Sequence, residues 1–259
     1  MTSDFQLTNN LKKVFSSLDD SKGRRRSGMF VAEGTKCVVE LASAFKIRYL
    51  FAKKEWLDAN AGAVPLDNAI VVNGQVLREI TRLNTIPPVV AFFELPQESA
   101  SVEVDISNNL VLALDRVQDP GNMGTILRTC DWSGVHTVLA SADSVDAFNP
   151  KVVQASMGAL ARVKVVYVDL PNFLRGLDSA AQVYGTFLDG ENIYTEPLSS
   201  SGIVVMGNEG QGISPEVEES VTKRIFIPPH NADDAVESLN VATAAAITLS
   251  QFRARAFTK

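Results

Sequence analysis

The chain has 259 residues, 46% apolar and 21% charged, with a formal net charge of −6, enough for one large or two ordinary globular domains with a sizeable core. No apolar run approaches the roughly 20 residues that cross a bilayer, and residues 1–6 lack the basic and apolar regions of a secretory signal. Cys37 and Cys130 are the only cysteines and lie far apart, and His136 and His230 share no ligand spacing with them. A disulfide framework and a structural zinc site are therefore disfavoured, and a reducing, cytoplasmic setting is expected.

From the N-terminus, residues 9–18 predict a helix, followed by a basic loop at Lys22, Arg24, Arg25 and Arg26, downstream of Lys12 and Lys13. Residues 30–34 precede a predicted helix at 35–45, a strand at 47–52, a short apolar run at 69–72, a helix at 76–83 and a strand at 89–93. This alternation predicts a small α/β layered domain at residues 1–96. The polar stretch after Pro96 places a linker at 97–105, and the alternation restarts in a second domain at 106–259. Charge divides in the same way. Residues 1–96 carry 13 Lys and Arg against 10 Asp and Glu, whereas residues 97–259 carry 11 against 20. A basic segment on the first domain suits phosphate neutralisation, although by itself it is equally a solvated loop.

In the second domain, Leu110-Val111-Leu112-Ala113-Leu114 is apolar without a break, as expected of a strand in a parallel sheet covered on both faces. A helix is predicted at 124–133, a strand at 137–140, a helix start at Asn149-Pro150, and strands at 163–168, 183–188, 203–206 and 224–227. Ser214-Pro215 opens a short acidic helix, and a last helix at 240–256 is Ala-rich at its start and basic at its end.

Three segments here join a strand to a bend rich in Gly, Asn or Pro: Asn122-Met123-Gly124-Thr125-Ile126-Leu127-Arg128; Gly207-Asn208-Glu209-Gly210-Gln211-Gly212-Ile213; and Ile227-Pro228 followed by Ser238-Leu239-Asn240-Val241. Read singly, the first is a helix capped by Asn122, the second a turn, and the third a helix capped by Ser238 or Asn240. The glycine order G-x-x-G-x-G is not the dinucleotide fingerprint, which disfavours a dehydrogenase. All three bends fall at the C-terminal ends of strands, the edge at which open α/β sheets bind ligands.

Together and in this order, the three segments resemble the signature of the SpoU/TrmH class of RNA 2′-O-ribose methyltransferases, in the SPOUT superfamily. The resemblance covers residues 106–256, including the run from Asn149 to Ala159. Residues 9–96 resemble, more loosely, the ribosomal-protein-like RNA-binding domain that often precedes this catalytic domain. The resemblance implies an α/β fold whose C-terminal parallel sheet contains a trefoil knot, a homodimer, and S-adenosylmethionine as cofactor. It implies cofactor contacts at Gly207, Ile227 and Leu239, and a polar active-site set of Asn122, Arg128, Glu209, Ser238 and Asn240. Lys22, Arg24, Arg25, Arg26 and Glu33 are the implied contacts to substrate RNA. The expected reaction is methyl transfer to a ribose 2′-hydroxyl of ribosomal RNA. Transfer RNA as substrate, base methylation, and a non-catalytic RNA-binding or ribosome-assembly role on the same fold are the alternatives. The loop at 228–237 is longer than the family's usual spacing.

Overall fold

The computed structural model describes residues 5–97, 104–231 and 237–254. Most of the predicted linker (98–103), Asp233 and Asp234 of the polar loop, and Arg255 and Ala256 of the last predicted helix lie outside the described residues. The chain divides into two compact units. One takes the described residues of Met1–Ser99 together with Asp146–Arg162; the other takes those of Ala100–Val145 and Val163–Lys259.

The first unit contains α1 (Asn9–Ser17), α2 (Ser21–Ser27), β1 (Met29–Glu33), α3 (Thr35–Ala42), β2 (Ile47–Ala52), α4 (Lys54–Asn60), β3 (Ala69–Val71), α5 (Gly74–Ile80) and β4 (Val89–Glu94). Its strands lie in the order β1-β4-β2-β3, with β4 antiparallel to both neighbours and β2 parallel to β3. Phe15, Phe51 and Phe92 form the centre of its core, Phe15 stacking on Phe92 at 3.8 Å between centroids.

The predicted basic loop is instead the helix α2. Asp20 caps it by accepting the Gly23 amide at 2.6 Å, and Gly28 ends it in a left-handed conformation (φ 65°). A Cβ at Gly23 would lie 1.8 Å from the Ser17 carbonyl oxygen, so the helix can pack against the end of α1 only with glycine there. Run-on charge hid this helix in the sequence, because its capping residues lie outside the basic run.

Asp146–Arg162 leaves the second sheet and packs within the first unit, which a division at 97–105 does not anticipate. It carries α7 (Pro150–Ser156), capped by Asn149 with Pro150 at the first position, and a 3₁₀ turn at Ala159–Ala161. Phe148 packs on Phe30 at 4.8 Å between centroids. The Arg24 guanidinium is 2% exposed and donates to Asp146 Oδ2 through Nε at 2.9 Å and Nη2 at 2.5 Å, and to the Leu18 carbonyl at 2.7 Å.

The second unit contains β5 (Leu110–Leu114), α6 (Pro120–Trp132), β6 (Thr137–Ser141), β7 (Lys164–Val168), α8 (Leu170–Arg175), β8 (Val183–Phe187), β9 (Glu191–Asn192), β10 (Gly202–Met206), α9 (Pro215–Glu218), β11 (Lys223–Phe226) and α10 (Val241–Ala254). The strands form one sheet, β7-β6-β5-β10-β8-β11-β9, and every pair is parallel. The central strands β5 and β10 are buried throughout, as their unbroken apolar runs require. α10 packs on α6, and Arg253 ties the pair by donating to the Ser133 and Gly134 carbonyls at 2.9 and 3.1 Å, satisfying groups at the open end of α6.

Arg24→Ala empties the space of a buried side chain and strips Asp146 and the Leu18 carbonyl of their donor, so it should lower the unfolding free energy by about 2 kcal/mol, whereas Arg25→Ala on the exposed face should stay within about 0.5 kcal/mol; urea titration of the two variants checks the difference.

Candidate active site

Parallel pairing places the C-terminal ends of all seven strands on one edge, and the three singled-out segments leave the sheet there. The first follows β5. Its helix, α6, starts at Pro120 rather than Gly124, and the cap is Asp119, whose Oδ1 accepts the Asn122 amide at 2.8 Å. Asn122 is therefore a correction to the sequence reading, since the helix does not use its side chain as a cap. The signal was an Asp directly before Pro at the first helical position, the same pattern that located α7.

Freed from capping, the Asn122 side chain joins the other two segments. Asn240 Nδ2 donates to Asn122 Oδ1 at 2.9 Å, and Asn122 Nδ2 donates to Glu209 Oε1 at 3.0 Å. Glu209 Oε1 also accepts the Asp119 amide at 3.3 Å. Asn240 at the same time caps α10, its Oδ1 accepting from the amides of Ala242 at 2.9 Å and Thr243 at 3.3 Å. One hydrogen-bonded chain thus spans all three segments, with amides that each donate on one side and accept on the other.

The second segment is a tight loop after β10. The backbone groups of Asn208 and Gly212 bond reciprocally at 2.9 and 3.0 Å, and Asn208 Oδ1 accepts from Gly210 and Gln211. Gly207 is the close-approach position: a Cβ there would lie 2.2 Å from the Gly212 carbonyl carbon and 2.3 Å from the Ile213 nitrogen. Ile227 follows β11, and Leu239, 44% exposed, sits two residues before α10. Gly207 and Ile227 thus flank β8 at the same edge of the sheet.

Ser238 is exposed beside this network and is not bonded into it. Arg128 is exposed on α6, six residues beyond Asn122. Among the described residues neither a carboxylate nor a carbonyl holds its guanidinium, so it is available to a ligand. Both cysteines are buried, and burial pushes the thiols of Cys130 and Cys37 up, away from the thiolate a nucleophile requires.

In the first unit, Lys22, Arg25 and Arg26 are exposed on α2, but Arg24 and Glu33 are not surface groups. Arg24, expected among the RNA contacts, is buried and consumed by its ion pair with the partly exposed Asp146. Glu33, 4% exposed, accepts from the Thr81 hydroxyl and from the Arg82 amide at 3.0 Å, locking the end of β1 to the turn after α5. Residue type alone does not distinguish these two from their exposed neighbours. A shallow cavity of about 220 Å³ on this unit, lined by Lys53, Lys54, Glu55 and Asn73 among others, contains none of the residues singled out from the sequence.

Comparison with known proteins agrees in both units. Residues 109–250 match the SpoU rRNA Methylase family, and residues 9–91 match the MRM3-like substrate binding domain. The chain is 31% identical to the 23S rRNA (guanosine(2553)-2′-O)-methyltransferase RlmP of Bacillus subtilis, covering 93% of this chain and 95% of that protein. Among solved structures, a TrmH-family protein from Porphyromonas gingivalis is 41% identical with a TM-score of 0.83, covering 97% of this chain and 100% of the other. The AdoMet-bound rRNA methyltransferase from Sinorhizobium meliloti is 30% identical, also at 0.83, covering 100% and 98%.

Asn240→Ala removes both a helix cap and the link to Asn122, and should cost about 1 kcal/mol or more of stability; Ser238→Ala, at an exposed and unbonded position, should stay within about 0.5 kcal/mol by chemical denaturation.

Proposed function

Because the chain belongs to the SpoU rRNA methylase family, we propose that it transfers a methyl group from S-adenosylmethionine to a ribose 2′-hydroxyl of ribosomal RNA. The observation that carries this reading is the chain Asn240–Asn122–Glu209, which draws the three segments together at the ligand-binding edge of a parallel sheet. The relatives support the substrate class, since RlmP is named for 2′-O-methylation of 23S rRNA.

The residues present fit the cofactor. Gly207 lets the loop fold onto itself where any side chain would collide, and Leu239 offers an exposed apolar surface to an aromatic ring. The contact set Gly207, Ile227 and Leu239 carries no basic side chain, which suits a ligand with a positive sulfonium. When bound, S-adenosylmethionine supplies a methyl group already activated for transfer.

The chain's own residues must then hold the ribose in line and manage one proton. Arg128 is the critical side chain. A guanidinium with a pKa above about 12 is a poor base, so Arg128 grips the neighbouring RNA phosphate and stabilises the oxyanion that develops at the 2′-oxygen. Glu209, directly or through a water, accepts the hydroxyl proton. Asn122, Ser238 and Asn240 orient the ribose and the loops, and positioning of this kind lowers barriers by several kcal/mol.

Substrate recognition falls to the RNA substrate-binding domain at 1–96, with which the excursion Asp146–Arg162 packs, joined by a linker at 97–105 to the methyltransferase domain made by the rest of 106–259. Lys22, Arg25 and Arg26 provide its phosphate contacts. The tight loop at Gly207 and the crossing strand order suit a trefoil knot, and the homodimer implied by the family resemblance leaves Trp132, 93% exposed on α6, as a residue a partner could cover. Among the described residues no helix is long and apolar enough to cross a membrane, in keeping with action on RNA in the cytoplasm.

Titration calorimetry with S-adenosylmethionine, followed by mass-spectrometric mapping of methylated rRNA, tests the assignment; absence of cofactor binding, or a methyl group on a base, would refute it. Arg128→Ala should abolish turnover and leave cofactor affinity unchanged, and normal turnover would remove Arg128 from the mechanism. Replacing Lys22, Arg25 and Arg26 together with Ala should weaken RNA binding and flatten its salt dependence by roughly 2 to 3 units of log–log slope, read from binding isotherms over a range of salt.

A further inference from the structure

Arg116, just beyond β5, has a left-handed backbone with φ 58°. Residues other than Gly, Asn and Asp seldom adopt it, and such strain persists only where surrounding contacts impose it. Here the contacts come from two sides. Toward β6, the Arg116 amide donates to Ser141 Oγ at 2.8 Å, and that hydroxyl donates to Asp143 Oδ1 at 2.7 Å. Toward the glycine-rich loop, four bonds converge on Asp115 and Arg116. The Asp115 amide donates to the Met206 carbonyl at 2.9 Å, and Asp115 Oδ2 accepts the Ser214 amide at 2.6 Å. The Arg116 carbonyl accepts from Asn208 Nδ2 at 2.7 Å, and Arg116 Nη1 donates to Gln211 Oε1 at 3.0 Å.

These bonds hold the loop at its entry, on both sides of its tip and at its exit. The residue they bracket is Glu209, whose carboxylate reaches Asn122. The guanidinium is committed to this task at a cost: its Nε lies 3.4 Å from Asp115 Oδ1, but its hydrogen is buried without an acceptor among the described residues. The Ser141 and Asn208 bonds hold the left-handed backbone, and in that conformation the Arg116 side chain lies against Gln211 with its Nε hydrogen unbonded.

We propose that Arg116 is a positioning residue: through Gln211 it sets the conformation of the Asn208–Gln211 tip and thereby aims Glu209 at Asn122. The catalytic consequence rests on the methyl-transfer reading above, whereas the effect on the loop does not.

Arg116→Gly is the informative variant, because Gly adopts the left-handed backbone without strain and only the side chain is lost. Its melting temperature should match or exceed that of the unaltered protein. Amide exchange at Gly210 and Gln211, measured without cofactor, should accelerate. In rRNA methylation, kcat should fall about tenfold or more while the KM for RNA changes by less than about threefold. Gln211→Ala breaks the same bond from the exposed side and should reproduce both effects, which keeps the test open should Arg116→Gly prove less stable. The double variant should lose no more than Arg116→Gly alone, as for two partners of one contact. A kcat within about twofold of the unaltered protein, unchanged loop exchange, or additive losses would each overturn the proposal. If the unaltered protein methylates nothing, the methyl-transfer reading fails and the exchange rates alone decide the role of Arg116.

Discussion

A single hydrogen bond between two amide side chains, Asn240 Nδ2 to Asn122 Oδ1, joins parts of the chain 118 residues apart. It depends on a division of labour at two helix starts. Asp119 takes over the cap of α6, which frees Asn122, while Asn240 caps α10 with its oxygen and reaches Asn122 with its nitrogen. Asn122 then passes the connection to Glu209. Aspartate in place of either Asn would lose a donor, and the acceptor–donor alternation along the chain would fail. The amide type at both positions is therefore dictated by geometry as well as by chemistry.

The sheet makes this meeting possible. With all its strands parallel, every strand delivers its following loop to the same edge, and close packing of α10 on α6 brings the last segment beside the first. Arg253 fastens the far end of that helix pair through backbone carbonyls, so the network at one end and the guanidinium at the other hold the two helices along their length.

Much of this architecture was legible in the sequence, for identifiable reasons. The unbroken apolar run of β5 announced a sheet covered on both faces, and Asn149-Pro150 announced α7. Less was legible where a residue's partner lies far away. Arg24 and Arg25 are adjacent and alike in type, yet one is buried on Asp146 and the other faces solvent. The helix α2 was hidden because its cap, Asp20, and its terminator, Gly28, stand outside the basic run that drew attention. The short elements α4, α8 and β9 carry too few residues to show a period. At the site, the polar residue types were readable, but the bonds among Asn122, Glu209 and Asn240 were not, because Asn122 follows an Asp-Pro pair that had already satisfied the helix start.

The excursion Asp146–Arg162 has a bearing on how the protein is divided. A fragment cut at the polar stretch after Pro96 would carry this excursion away from the residues that cover it. Phe148 would lose Phe30, and Asp146 would lose the guanidinium that neutralises it. The complementary N-terminal fragment would retain Arg24 without its carboxylate. The two fragments would therefore lose solubility together: each half, produced separately, would present a sticky wound where the intact chain has an interior.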